Sequence, residues 1–332
     1  MYNDEDLQSA VEHNIFSSSA VEQFKEHTAK NRGTALADEE NFRLISGFND
    51  IFVVIASGLL LVSTAWLGFS LVPVLGAAAM AVVSWLLAEF FVIKRKMALP
   101  AIVLLITFLG GVFAVPLMVN EHPSEAAFLI SGILTTIAAL GHWRRFRVPI
   151  TVAASVVAIC GSLVAIILGM YPTMLVWTNS LLLVAGLIVF GLAMYWDATD
   201  RTRQTRASDV AFWLHLVAAP MIVHPIFSTL GVLGGVGDVY LSLAVLGLYI
   251  LLAVISIAVD RRAIMVSALV YVIYAFSTIL ENYGMVSYSF AVTGMCIGTT
   301  LLLLSAFWQV SRKHVVSRLP ATIQQFLPTA VH

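Results

Sequence analysis

IFVVIASGLLLVSTAWLGFSLVPVLGAAAMAVVSWLLAEFFVIKRK, residues 51–96, decides the fold. From Ile51 to Ile93 its only charged residue is Glu89, and it then ends in Lys94, Arg95 and Lys96. An α-helix rises 1.5 Å per residue, so about 20 apolar residues cross a hydrocarbon core of ~30 Å. The run is about twice that length, so it has to cross, turn and cross back. Ser70 to Pro73 is the simplest place for the turn.

The same pattern continues along the chain. Further apolar stretches occupy 98–119, 126–142, 148–170, 173–195, 210–229, 239–259, 263–280 and 287–308, which makes ten spans with the first two. Composition agrees. Hydrophobic residues make up 60% of the chain and charged residues 11%, against roughly 25% charged in soluble domains. There is too little polar surface to cover a soluble core. The expected fold is an all-α polytopic transmembrane bundle. It has a helical segment at 1–49, the bundle at 50–310 and a tail at 311–332.

The placement of charge tests the count. Alternating spans gather Lys25, Lys30, Arg32 and Arg43; Lys94, Arg95 and Lys96; Arg144, Arg145 and Arg147; Arg201, Arg203 and Arg206; Arg261 and Arg262; and Arg312, Lys313 and Arg318 on one side. These are all 18 basic residues of the chain. The opposite loops hold Glu121, Glu125, Asp238 and Glu281 instead. Basic loops stay cytoplasmic, so both termini are expected in the cytoplasm. An odd count would scramble this partition. A loose repeat also shows: Trp143, Trp196 and Trp308 each close a returning span just before a basic cluster. The unit looks like a helical hairpin, although interfacial anchoring alone puts Trp and Arg at span ends.

No basic leader with an apolar core opens the chain, so the first span is expected to act as an uncleaved anchor. Residues 1–49 carry nine acids and four bases. Leu7, Ala10 and Val11 have helical spacing. Ser19 and Glu22 fit a capping box, Val21 and Phe24 give a small apolar face, and Gly33 breaks the helix. Asp38, Glu39 and Glu40 favour a new helix start. The segment reads as a cap on the cytoplasmic face or as a docking element for a cytoplasmic protein. Nothing in it has nucleic-acid-binding character.

EDLQSAVEHNIFSSSAVEQFKEHTAKNRG (residues 5–33), followed by ENFRLISGFNDIF (40–52) and the series of spans, resembles a family of predicted bacterial membrane proteins of unknown function. SDVAFWLHLVAAPMIVHP (208–225) carries the same resemblance. It implies a bacterial inner membrane and brings no activity or functional residues with it.

Chemistry concentrates in the seventh span, SDVAFWLHLVAAPMIVHPIF, with Asp209, Trp213, His215, Pro220, His224 and Pro225. Ionisable side chains inside a bilayer usually face the bundle interior or water. A proline removes a backbone donor, as in the broken helices of transporters, and histidine titrates near neutral pH. His215 and His224 lie about 13 Å apart along the helix on opposite faces, so they cannot chelate one metal. The alternative is that each imidazole is neutral and bonded between helices. Glu89 is expected to reach the interface or pair with a basic residue, with proton carriage as the other reading. Asn179, Tyr271, Tyr274, Ser277 and Thr278 are candidates for lining a cavity or bonding between helices. Gly294 and Gly298 let helices approach closely, within one chain or between chains. Cys160 and Cys296 read as small packing residues.

No Walker loop, nucleophile elbow, HExxH or CxxC is present, and the aqueous loops are short, so the reading leans away from an enzyme and names no cofactor or metal. A secondary transporter or permease-like protein for a small molecule or ion is the leading expectation. Ten spans match in number the drug/metabolite transporter architecture of two five-span halves, without its sequence patterns. A membrane scaffold or sensor acting through residues 1–49 is the rival, and an intramembrane redox protein is a third reading.

Overall fold

The computed structural model describes residues 4–32, 48–119, 122, 124–201, 203, 205–231, 239–284, 288–324 and 326–328. Two compact units are present. The first contains helices α1 (Asp4–Glu12) and α2 (Ser18–Arg32). Asn14 closes α1 in the left-handed region at φ 54°, as asparagine does at helix ends. The α2 cap lies two residues before the expected one: Ser17 Oγ accepts from Ala20 N at 3.2 Å, while the Ser19 hydroxyl pairs with that of Ser17. The helix start expected at residues 38–40 lies outside the described residues.

The second unit is an integral membrane bundle with, among the described residues, ten helices long and apolar enough to cross a bilayer. They are α3 (Phe48–Leu71), α4 (Pro73–Ala88, extended by a π-turn over Glu89–Lys94), α5 (Ala98–Leu117), α6 (Glu125–Phe146), α7 (Ile150–Met170), α8 (Thr178–Thr199, preceded by a 3₁₀ turn over Pro172–Trp177), α9 (Arg206–Thr229), α10 (Val239–Val259), α11 (Ala263–Asn282) and α12 (Ser289–Ala306). The first long run turns at Val72, just before Pro73 at the start of α4. Proline at the first turn of a helix removes no needed bond.

Four of the turns between spans share one device. Lys96, Arg147, Arg203 and Asp260 sit in the left-handed region at φ 53°, 55°, 55° and 62°. A non-glycine residue there costs roughly 1–2 kcal/mol, so tertiary contacts must hold it. All four belong to the end that carries the basic clusters. Contacts pair these loops: Glu89 reaches Arg145, and Arg203 reaches Asp260. At the other end, α9 and α11 are followed by Gly231 and Gly284 with φ 69° and 82°, where glycine carries no steric penalty.

Helices α3 to α7 pack as sequential antiparallel neighbours, as do α8 with α9, α10 with α11 and α11 with α12, and α9, packed on α7, α8 and α11, joins the two parts of the bundle. One face of α9 packs Leu214, Ala218 and Ile222 with Ala153 of α7 and Val189 and Ala193 of α8. The other packs Ala219, Val223 and Phe227 with Val245 of α10 and Ala268, Tyr271 and Ala275 of α11. This two-sided packing leaves α9 the most buried span, at 56% of its central window against 39% for α11. Pro220 and Pro225 lie inside α9, yet it runs as one helix.

Close helix approach occurs at Gly186 and Gly111. A Cβ on Gly186 would stand 2.9 Å from the Met221 backbone, and one on Gly111 would stand 2.8 Å from Ala77 O. Gly294 and Gly298 have nothing within 4 Å of such an atom, so no close approach is made there within this bundle. Cys160 is half-buried, Cys296 is exposed, and both are free thiols.

Residues beyond 310 continue the bundle. Helix α13 (Trp308–Val316) buries Trp308 and Arg312, and the second unit extends to Pro328. A short α14 (Ala321–Gln324) follows.

Candidate functional site

Asp197 lies in the last turn of α8 and His215 two and a half turns into α9. Because α8 and α9 are consecutive and antiparallel, the two side chains come level, and His215 Nε2 meets Asp197 Oδ2 at 2.8 Å. Arg261, in the turn between α10 and α11, enters from the side. Its Nη2 donates to Asp197 Oδ1 at 2.6 Å and to Ser208 O at 3.2 Å, and its Nε reaches Asp197 Oδ2 at 3.3 Å. The carbonyl of Arg261 accepts from Ser256 Oγ, which fixes the turn. All three ionisable groups are buried, with side-chain exposures of 0% for Asp197, 1% for His215 and 2% for Arg261.

A carboxylate only accepts hydrogen bonds, so His215 Nε2 carries the proton toward Asp197. His215 Nδ1 is then a bare acceptor, and it has no hydrogen-bond partner among the described residues. Phe190 packs against the ring at 5.3 Å, edge to face. With a neutral imidazole the cluster holds one positive and one negative charge. A proton on Nδ1 would add a second positive charge that one carboxylate cannot balance.

A second cluster centres on Asp260. Arg203 Nη1 donates to Asp260 Oδ2 at 2.9 Å, and its Nη2 to Asp260 O at 3.1 Å. Trp308 Nε1 donates to Asp260 Oδ1 at 2.7 Å, and Arg312 Nε stands 3.6 Å from Oδ2. Arg312 Nη2 donates to Pro328 O at 2.6 Å, and Arg201 Nε to Leu327 O at 3.0 Å. The C-terminal residues are thus tied to the loops at this end. Burial lowers the pKa of Arg203 from its ordinary value while Asp260 opposes the shift, and the guanidinium remains a cation. These bonds hold Arg203 and Asp260 in their left-handed conformations. Thr205 caps α9, accepting from Ala207 N, and donates through both its N and Oγ1 to Asp200 Oδ2.

The other residues singled out in the sequence are dispersed. His224 faces away from His215: it is exposed on the bundle surface, and its Nδ1 pairs with Tyr271 OH at 2.7 Å. Tyr271 stacks on Phe227 at 4.7 Å and 12°, and half-buried Tyr274 packs against the same core. Pro220 is exposed, and Asp209 is half-buried in the first turn of α9. Trp213 lines a cavity between α5, α6, α7 and α9. Asn179 Nδ2 donates to Ser228 Oγ at 3.3 Å, and Ser277 pairs with Thr293 at 3.1 Å. Thr278 O accepts from Asn282 Nδ2 at 2.9 Å. Glu89 makes a two-pronged pair with Arg145, at 2.8 and 2.7 Å, exposed at the basic end. His142 is buried among Trp85, Phe108 and Phe146. Among the described residues, no three His, Cys, Asp or Glu side chains are grouped to hold a metal.

Arg203, Arg261 and Arg312 were legible only as topological charges, and Asp197 and Asp260 were not singled out in the sequence. The signal that separates Asp197 and Asp260 is position: each is an acid beside a basic cluster, at the end of a returning span, where the positive dipole of the next helix also lies close. No protein-family model matches the chain, and no curated protein or solved structure matches it.

Proposed function

We propose that this protein is a permease-class membrane protein in which Asp197, His215 and Arg261 couple a proton to movement of α9. Its setting is a bacterial inner membrane, with the basic end in the cytoplasm. The observation that carries the reading is the buried, charge-balanced triad with an open acceptor at His215 Nδ1. It bridges α8, α9 and the α10–α11 turn, so a proton arriving there loosens three elements at once. The charged groups nearest the triad are Arg203 and Asp260, from the adjoining turns, and Asp209 on α9 itself. Arg203 and Asp260 compensate each other, so an added proton is felt mainly at Asp197 and Arg261.

Hydrogen exchange by mass spectrometry on the protein in lipid vesicles tests the reading. Acidification from about pH 8 to about pH 4.5, a range that extends well below the ordinary histidine pKa of about 6.5, lowers protection factors (exchange corrected for its intrinsic pH dependence) in the α8–α9 and α10–α11 turns. In His215→Gln the protection factors no longer change with pH. Equal pH responses in wild type and His215→Gln refute the coupling.

A scaffold reading has one observation in its favour. Ile15 and Phe16, between α1 and α2, expose 68% and 50% of their surface, as residues awaiting a partner do. Loss of physiological function on deletion of residues 1–33, with His215→Gln silent, would select it.

A further inference from the structure

A cleft of about 720 Å³ lies between α5, α6, α7 and α9. Ligand sites usually measure roughly 300–1,000 Å³. Along α7 the lining runs from Ile150 to Ala165, about 22 Å at the helical rise, which is most of the bilayer's hydrocarbon thickness. The space comes from missing side chains: at Gly110 and Gly161 an added Cβ would meet nothing within 4 Å. The wall is apolar in effect as well as in composition. Its two hydroxyl residues are already committed, Thr135 Oγ1 donating to Ser131 O at 2.7 Å and Ser162 Oγ to Ala158 O at 2.7 Å. The other polar group of the wall is the Trp213 indole N–H, so an occupant is hydrocarbon along most of this length.

We propose that the cleft holds one acyl chain of a bilayer phospholipid, lying along α7 from Ile150 to Ala165 and covering the ring of Trp213. The source follows from the rim. Ile106, Phe128 and Leu216 line the cleft and also expose 60%, 47% and 39% of their surface at bilayer depth, so it opens sideways to lipid. Its length along α7 suits an extended chain better than a compact ring system. The cleft spans the seam where α7 meets α9, so a seated chain fills the joint between the first five spans and the central helix. The proposal does not depend on the proton-coupling reading.

The test uses the full-length protein in phosphatidylethanolamine/phosphatidylglycerol vesicles doped with a phospholipid bearing a photoreactive diazirine in its acyl chain. Labelled peptides are mapped by mass spectrometry. Label concentrates in Ala98–Leu117 and Ile150–Met170. Filling the cleft with Gly110→Phe plus Gly161→Leu reduces that label roughly tenfold, about 1.4 kcal/mol of affinity. Gly191→Leu on α8, which also has open space but lies outside the cleft, leaves it unchanged. Thermal unfolding of each variant shows that the bundle is intact. Label spread evenly over the ten spans, or label unaffected by the filled cleft in a folded variant, overturns the proposal. So does displacement of the phospholipid label by an equimolar free fatty acid.

Discussion

Asp197 and Arg261 are 64 residues apart in the chain, yet their side chains meet at 2.6 Å inside the bundle. The pair joins the end of α8 to the α10–α11 turn, and the same carboxylate holds His215 of α9. Removing one partner of a buried pair leaves an uncompensated charge and costs roughly 3–5 kcal/mol, whereas replacing both with apolar groups costs far less. Asp197→Asn is therefore strongly destabilised, and Asp197→Leu combined with Arg261→Met is more stable than either single variant. Thermal unfolding of the purified variants in one detergent checks the order.

Helix contacts give a second prediction with its own internal control. Gly111→Ala and Gly186→Ala push a methyl group against backbone at 2.8 and 2.9 Å, and overpacking of this kind costs roughly 1–3 kcal/mol. Gly294→Ala and Gly298→Ala meet nothing, and each gains slightly in helix propensity. Midpoints of thermal unfolding should fall for the first two variants and hold or rise for the last two.

Glu89 and Arg145 form a well-aligned pair, but their side chains are 33% and 55% exposed. Exposed ion pairs contribute little and weaken with salt. Glu89→Gln is expected to stay close to wild type in stability, and the small difference should vanish in high salt. A loss as large as that of Asp197→Asn, seen in the same unfolding assay, would refute this ranking.

Tyr271 separates a hydrogen bond from a packing contact. Tyr271→Phe removes only the bond to His224, worth about 0.6–2 kcal/mol in a membrane helix pair. Tyr271→Ala also removes the ring stacked on Phe227 and should cost about 3–5 kcal/mol if it follows large core truncations. Unfolding of the two variants, compared with each other, gives the relative size of the two effects.

The architecture was readable because membrane solvation acts on whole segments. Twenty apolar residues in a row and a sorted set of cations are collective signals, and the ten helices fall within a few residues of the expected spans. The turn at Pro73 was legible for a local reason, since proline punctuates the chain there, and Gly33, read as a helix breaker, lies outside the described residues. The triad was not legible. His215 stood out as an ionisable group in an apolar run, but its partners Asp197 and Arg261 lie at span ends, where charge is ordinary. Only the pairing of helices brings them together. Gly294 and Gly298 show a related limit: a small-residue pair permits close approach, and neighbour choice decides whether it is used. The tail shows the same limit, because Arg312 reads as a topological anchor until its bonds to Asp260 and Pro328 are seen.

The most direct test of the account is which side of the membrane each loop faces. Single cysteines are placed at exposed positions on a background with Cys160 and Cys296 replaced by alanine, and labelled in intact vesicles with a membrane-impermeant maleimide. Cysteines at Arg95, Arg144, Arg201, Arg262 and Arg318 should label together from one side, and those at Glu125, Tyr171 and Tyr283 from the other. Labelling of the Arg144 and Arg201 positions from opposite sides would contradict the ten-span topology and the common end on which the buried charge clusters depend.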